Sequence, residues 1–220
     1  MTLAGGSPSI RPWQELFRNR TAMAIAATVA AFAMALVMLT LNRPAPPTFS
    51  PSPDTDTLGG DQLVGPRVFT VDSRNSERWQ FFSFSTGNLV TDPGPLGWDL
   101  AFRRFQVIVN GGDGFAGKGG AVQLGDVSFG TIAQLPPEGY TGTEASRGDS
   151  ISPPLEDWYR YSWVSHLLSP DEFIYAFRTA DGRYGKLRFL SYYCPGARPG
   201  CVTFEYVYQG DGTRKLIPSG

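Results

Sequence analysis

Residues 21–41, TAMAIAATVAAFAMALVMLTL, carry no charged side chain. At 1.5 Å per residue a helix of that length is about 31 Å long, roughly one bilayer core. Beyond it the pattern changes to short β-branched and aromatic runs set between turn residues. These runs predict strands over 67–72, 78–84, 98–103, 105–109, 121–124, 173–179, 184–193 and 202–209. Asn110-Gly111-Gly112, Asp181-Gly182 and the segment 194–201 are turn signals. Ala180-Asp181-Gly182-Arg183 between two aromatic runs predicts a hairpin, which the last strand extends to a three-stranded meander. The pattern leaves 128–134 and 158–168 open, the latter as a strand followed by a turn or a short helix.

Charge orients the apolar segment. Arg11, Arg18 and Arg20 precede it and only Arg43 follows closely, so the preference of basic residues for the cytoplasm predicts an N-terminus inside and the remainder outside. A cleaved secretory signal would have a shorter apolar region ending at a small-x-small site. This one runs through Leu39, Thr40 and Leu41 into Asn42-Arg43-Pro44, as an uncleaved anchor would. Pro12, followed by Trp13, Leu16 and Phe17 at helical spacing, predicts a helix start at the headgroup level. The expected division is a cytoplasmic segment 1–20, a transmembrane helix 21–41, a Pro-rich extended linker 42–62 and a periplasmic β-rich domain 63–220 at the bacterial inner membrane. Within the helix Ala22, Ala26 and Ala30, and Ala27, Ala31 and Ala35, recur every fourth residue. Small residues so spaced let a second helix approach closely, although alanine is also simply a good helix former.

Some 160 residues outside the membrane suffice for one domain with a core of its own. A net charge of -1 argues against nucleic acid as a partner. With 26 Gly, 18 Pro and 13% aromatic residues the composition predicts an all-β domain. The two cysteines, Cys194 and Cys201, bracket a Pro/Gly loop between strand runs and predict a disulfide in an oxidising compartment.

Catalytic chemistry finds little support. His166 is the single histidine, and no G-x-S-x-G elbow exists. Glu156-Asp157 and Asp171-Glu172 are adjacent pairs, which a strand would point to opposite faces. GGDGFAGKGG at 111–120 superficially fits a dinucleotide fingerprint and a phosphate loop. Yet Gly119 stands where the phosphate loop needs Ser or Thr, and a strand rather than a helix follows. A mobile glycine loop between strands is the expectation. His166 is a candidate haem ligand by composition alone, with no second histidine and no methionine in the external domain to pair with it.

WDLAF at 98–102, NGG at 110–112, GKGGAV at 117–122, FIYAFRTADGRYGKLRFLSYY at 173–193 and VTFEY at 202–206 resemble the HmuY-like family of bacterial haem-binding proteins. The resemblance implies an antiparallel, hand-like β sandwich. It also implies exported lipoproteins that hold haem between paired histidine or methionine ligands. This chain departs on both counts, having an apolar helix in place of a lipidated cysteine and no such ligand pair. The expectation is therefore a non-catalytic, cofactor-free accessory subunit of a membrane complex, a photosynthetic reaction centre or a respiratory complex. Its partners would be the other subunits and membrane lipid. The alternative is a membrane-tethered haem-binding or haem-transfer protein.

Overall fold

The computed structural model describes residues 19–42, 45–54, 62–146 and 148–216. The expectations for Arg11, Pro12, Trp13, Leu16, Phe17, Arg18 and Arg43 fall outside them. The chain divides into two units, Met1–Pro44 and Ala45–Gly220, each taken by itself.

The first unit holds helix α1, Arg20–Leu41. Asn19 caps it, its side-chain oxygen accepting from the Thr21 N–H at 3.1 Å. The Thr28 and Thr40 hydroxyls donate to the carbonyls of Ala24 and Leu36 four residues back. These polar groups are thus satisfied within the helix, which a hydrocarbon environment demands. No α1 residue is buried, and Ala27, Ala31 and Ala35 lie along one exposed face.

In the second unit the strands are β1 Leu63–Asp72, β2 Gln80–Ser83, β3 Asn88–Val90, β4 Leu100–Arg103, β5 Gln106–Val109, β6 Gly120–Gly125 and β7 Glu144–Ser146. They continue as β8 Asp149–Ile151, β9 Tyr159–Tyr161, β10 Leu168–Pro170, β11 Ile174–Arg178, β12 Tyr184–Cys194 and β13 Arg198–Gln209. A short helix, α2 Pro153–Glu156, lies between β8 and β9. A five-stranded sheet runs β1-β13-β12-β11-β6 and a four-stranded one β3-β2-β4-β5, with β7-β8 and β9-β10 as separate hairpins. Every strand pairing is antiparallel.

Period-two alternation builds the core. On β13, Val202, Phe204, Tyr206 and Tyr208 share one buried face. Against them pack Phe82, Phe84 and Phe102 of the smaller sheet and its edge, Phe102 stacking on Phe204 at 5.5 Å and Phe84 on Phe177 at 3.8 Å. Ile174, Ala176 and Val207 on the opposite face of the larger sheet are covered by Phe129, Leu135 and Leu216. Cys194 and Cys201 form a disulfide across the β12–β13 turn.

Two expectations are corrected. The stretch 42–62 reads as an extended Pro-rich linker, yet its described residues 45–54 belong to the second unit. Residues 45–54 form a strap across the larger sheet, with Phe49 N–H donating to the Tyr193 carbonyl at 3.0 Å and Ser52 N–H to Thr70 O at 2.9 Å. The Thr70 N–H donates back to the Ser52 hydroxyl, and the Ser191 hydroxyl donates to Pro47 O. The register of β12 shifts at Ser191, which frees backbone groups for this docking. Prolines enforce an extended course, and that course lies against a strand as readily as it spans solvent.

The glycine loop at 111–120 is not a loose one. Gly111 pairs with Lys118, and a Cβ on Gly111 would collide with the Gly119 backbone. The glycines permit close backbone crossing. The open segments resolve into the β9–β10 hairpin and a single 3-10 turn, Phe129–Thr131.

Candidate functional site

His166 lies in the loop of the β9–β10 hairpin, where Tyr161 pairs with Leu168. The loop is closed by two backbone bonds, Ser162 N–H to Leu167 O at 2.9 Å and His166 N–H to Ser162 O at 2.8 Å. His166 takes the left-handed conformation, φ +55°, a region that histidine tolerates better than bulkier or β-branched residues. Its exposed ring lies with Nδ1 2.6 Å from the Tyr161 hydroxyl.

Both residues line an open groove of about 560 Å³, within the size range of small-molecule sites. Phe105, Tyr159, Tyr192 and Tyr193 supply its rings, Phe105 meeting Tyr159 edge-on at 5.5 Å. The Tyr193 hydroxyl is held by the Leu168 N–H at 2.8 Å, which ties β10 to β12. Arg104 is the groove's cation. Its backbone is anchored by the Ser73 carbonyl, and its guanidinium reaches the Arg74 carbonyl at 3.3 Å. The Tyr192 hydroxyl is buried without a hydrogen-bond partner among the described residues. Burial pushes this phenol above its ordinary value of 10, and Arg104 pulls it the other way. A buried orphan hydroxyl in a groove wall is a group that a ligand or water satisfies.

The groove therefore offers flat apolar walls, one cation and one Tyr–His donor pair. Among the described residues no three His, Cys, Asp or Glu side chains come together to hold a metal ion, so a metal would have to arrive carrying most of its own ligands. Cys194 and Cys201 are bonded to each other and are not donors. A smaller hollow of about 190 Å³ between β5 and α2 has no histidine in its lining. Ala27, Ala31 and Ala35 belong to the other unit.

The sequence marked His166 as a candidate by composition alone; Tyr161, Arg104 and Tyr192, which line the same groove, were not among its candidates. The hairpin that brings Tyr161 to His166 has strands of only three residues, too short for a periodic signal. Arg104 reaches the groove through tertiary folding from a turn between β4 and β5.

The sequence profile of a family described as "HmuY protein" matches residues 75–206. No curated protein matches the chain. Among solved structures, an apo HmuY analogue from Tannerella forsythia is similar at TM-score 0.55 and 16% identity, over 67% of this chain and 97% of its own. A proposed lipoprotein from Bacteroides fragilis gives 0.53 and 21%, over 70% and 93%. A proposed HmuY-like haem-binding protein from Bacteroides vulgatus gives 0.54 and 17%, over 70% and 97%.

Proposed function

The chain belongs to the HmuY family, and from that premise we propose that its domain binds haem in the aromatic groove, in a binding rather than a catalytic role. One observation carries this reading: the Tyr161–His166 pair stands in a groove that also presents four aromatic rings and Arg104. The fit follows from the donor set. A haem brings four nitrogens to its iron and needs from the protein only axial donors, flat walls and a counter-charge. Phe105, Tyr159 and Tyr193 would flank the ring. Arg104 would pair with its carboxylates. Tyr161 and His166 are hydrogen-bonded to each other, so they would serve the iron as one donor with its supporting hydrogen bond. Where the resemblance implies a pair of ligands, this chain would offer one, and binding would be correspondingly weaker.

In this reading α1 is an uncleaved anchor in the bacterial inner membrane, with the N-terminus inside and the domain in the periplasm. The lipoprotein description of the Bacteroides fragilis relative supports a cell-envelope setting. A photosynthetic or respiratory subunit draws no support from the matched family or structures. The part of that expectation kept as a proposal is that Ala27, Ala31 and Ala35 pack against a partner helix.

Titration of the full chain in detergent with ferric haem tests the function. The expected result is a saturable Soret shift that weakens sharply in His166→Ala and Tyr161→Phe. Metal-free porphyrin should bind wild type and both variants alike, since the walls remain. A haem shift that is unchanged in both variants and in Arg104→Ala would refute the site.

A further inference from the structure

The tip of the β9–β10 hairpin is apolar and uncovered. Trp163 is 82% exposed, the highest value for any large apolar side chain among the described residues, and Val164 is 56% exposed. The Trp163 ring touches Tyr161 edge-on at 5.2 Å, and Tyr161 is itself 43% exposed. A lone exposed apolar residue needs no explanation, but a contiguous Tyr-Trp-Val tip on a projecting hairpin does.

Its place in the domain indicates what covers it. The hairpin is tied to β12 at Tyr193, since the Leu168 N–H donates to the Tyr193 hydroxyl. The Tyr193 carbonyl also receives the strap, through the Phe49 N–H. The hairpin therefore rises beside the point where the chain arriving from α1 joins the domain. Six residues, 42 to 47, separate the end of α1 at Leu41 from Thr48, and fully extended they reach about 20 Å. The same end of the domain is basic. Loops there bring Arg74 and Arg104 together, and Arg198 lies close enough to help hold the Asp72 carboxyl below its usual range. Two guanidinium groups, those of Arg74 and Arg198, thus act on one carboxylate, and a third, that of Arg104, reaches the Arg74 carbonyl.

We propose that the Tyr161–Val164 tip docks into the headgroup layer of the bilayer that holds α1, with the Arg74, Arg104 and Arg198 loops over anionic headgroups. Tryptophan and tyrosine favour that layer because one end of each ring is apolar and the other polar. Arginines beside them add attraction to a negative surface. The mouth of the groove, which His166 and Tyr161 share with the tip, then opens at the lipid surface rather than into free solvent. This inference rests on the reading of α1 as a membrane anchor.

The test uses the full chain in nanodiscs of phosphatidylcholine and phosphatidylglycerol, with the native disulfide left intact. An environment-sensitive fluorophore is placed on one new cysteine at a time: Val164→Cys at the tip, Asp211→Cys just past the opposite end of the β12–β13 hairpin, or Ala31→Cys within α1. Spin-labelled lipid should quench and blue-shift the fluorophore at 164 and at 31 but not at 211. Quenching at 164 should weaken when phosphatidylglycerol is omitted or when Arg104 and Arg198 are changed to Gln. If 31 is quenched while 164 behaves like 211, the docking proposal is wrong and the anchor stands. If none is quenched, both fall.

Discussion

Asp99 is an acid inside the core. One carboxylate oxygen accepts from the Phe84 N–H at 2.8 Å and the other from the Ala180 N–H at 2.9 Å, tying the end of β2 to the β11–β12 turn. Burial pushes its carboxyl up to about 6 from an ordinary 3.8, more than these bonds lower it. Between those values folded Asp99 keeps a proton that the unfolded chain has lost, so its contribution to stability declines as pH rises from about 4 to about 6. The difference amounts to about 3 kcal/mol at most. Asp72 and Asp149 are held below the usual range and act in another window, losing their contribution as pH falls below about 4. Urea unfolding across this range should therefore show a decline from pH 4 to 6 in the wild type that Asp99→Asn lacks. The variant should also be less stable at pH 7 by about 1–3 kcal/mol, since an amide cannot accept from both N–H groups. The motif WDLAF made this residue visible as part of the fold. Its role was not legible, because its partners lie 15 and 81 residues away. His166 was legible for the opposite reason, as the chain's single histidine, whereas Tyr161 is one of 9 tyrosines and only the hairpin singles it out.

At the scale of elements, legibility followed length. The meander β11-β12-β13 could be read because its strands span several alternations and its turn carries Asp181-Gly182, matching the register Arg178↔Tyr184. The three-residue strands β3, β7, β8, β9 and β10 offer one alternation each and gave no signal. The hairpin bearing the donor pair was therefore the part of the site that the pattern left open. The strap was misread because a Pro-rich composition specifies an extended backbone but not what it lies against. Two element-level results are expected. Replacing Cys194 and Cys201 together by Ser should lower stability by about 2–3 kcal/mol, as releasing a short closed loop does, measured by denaturant unfolding with intact wild type as reference. Gly111→Ala should destabilise the domain more than Gly94→Ala, because the former drives a methyl into the Gly119 backbone while the latter meets open space at an ordinary backbone angle. Equal midpoint shifts for the two would contradict the close crossing.

For the whole molecule, the family was legible from strand and turn residues, while one uncharged run led to the expected division at 21–41. Orientation is checked by an impermeant thiol reagent on cells with a permeabilised outer envelope, in a chain lacking its native cysteines. Ser219→Cys should label and Ser7→Cys should not; the reverse pattern would invert the topology. Changing Ala27, Ala31 and Ala35 together to Leu should leave insertion intact and release any helix partner in mild detergent. A wild-type chain that migrates alone in every mild detergent would remove the partner proposal. One further consequence concerns time rather than space. Strand β1 pairs with β13, Leu63 opposite Gln209, and the strap docks on β12, so on the proposed topology the first domain segments to emerge would find their neighbours only after about 140 further residues had followed. Pairings so distant in sequence form slowly, since the chain between them must first be gathered. On the proposed topology β1 would until then be an uncovered edge beside a lipid surface, one that a secreting cell would have to shield for as long as export takes.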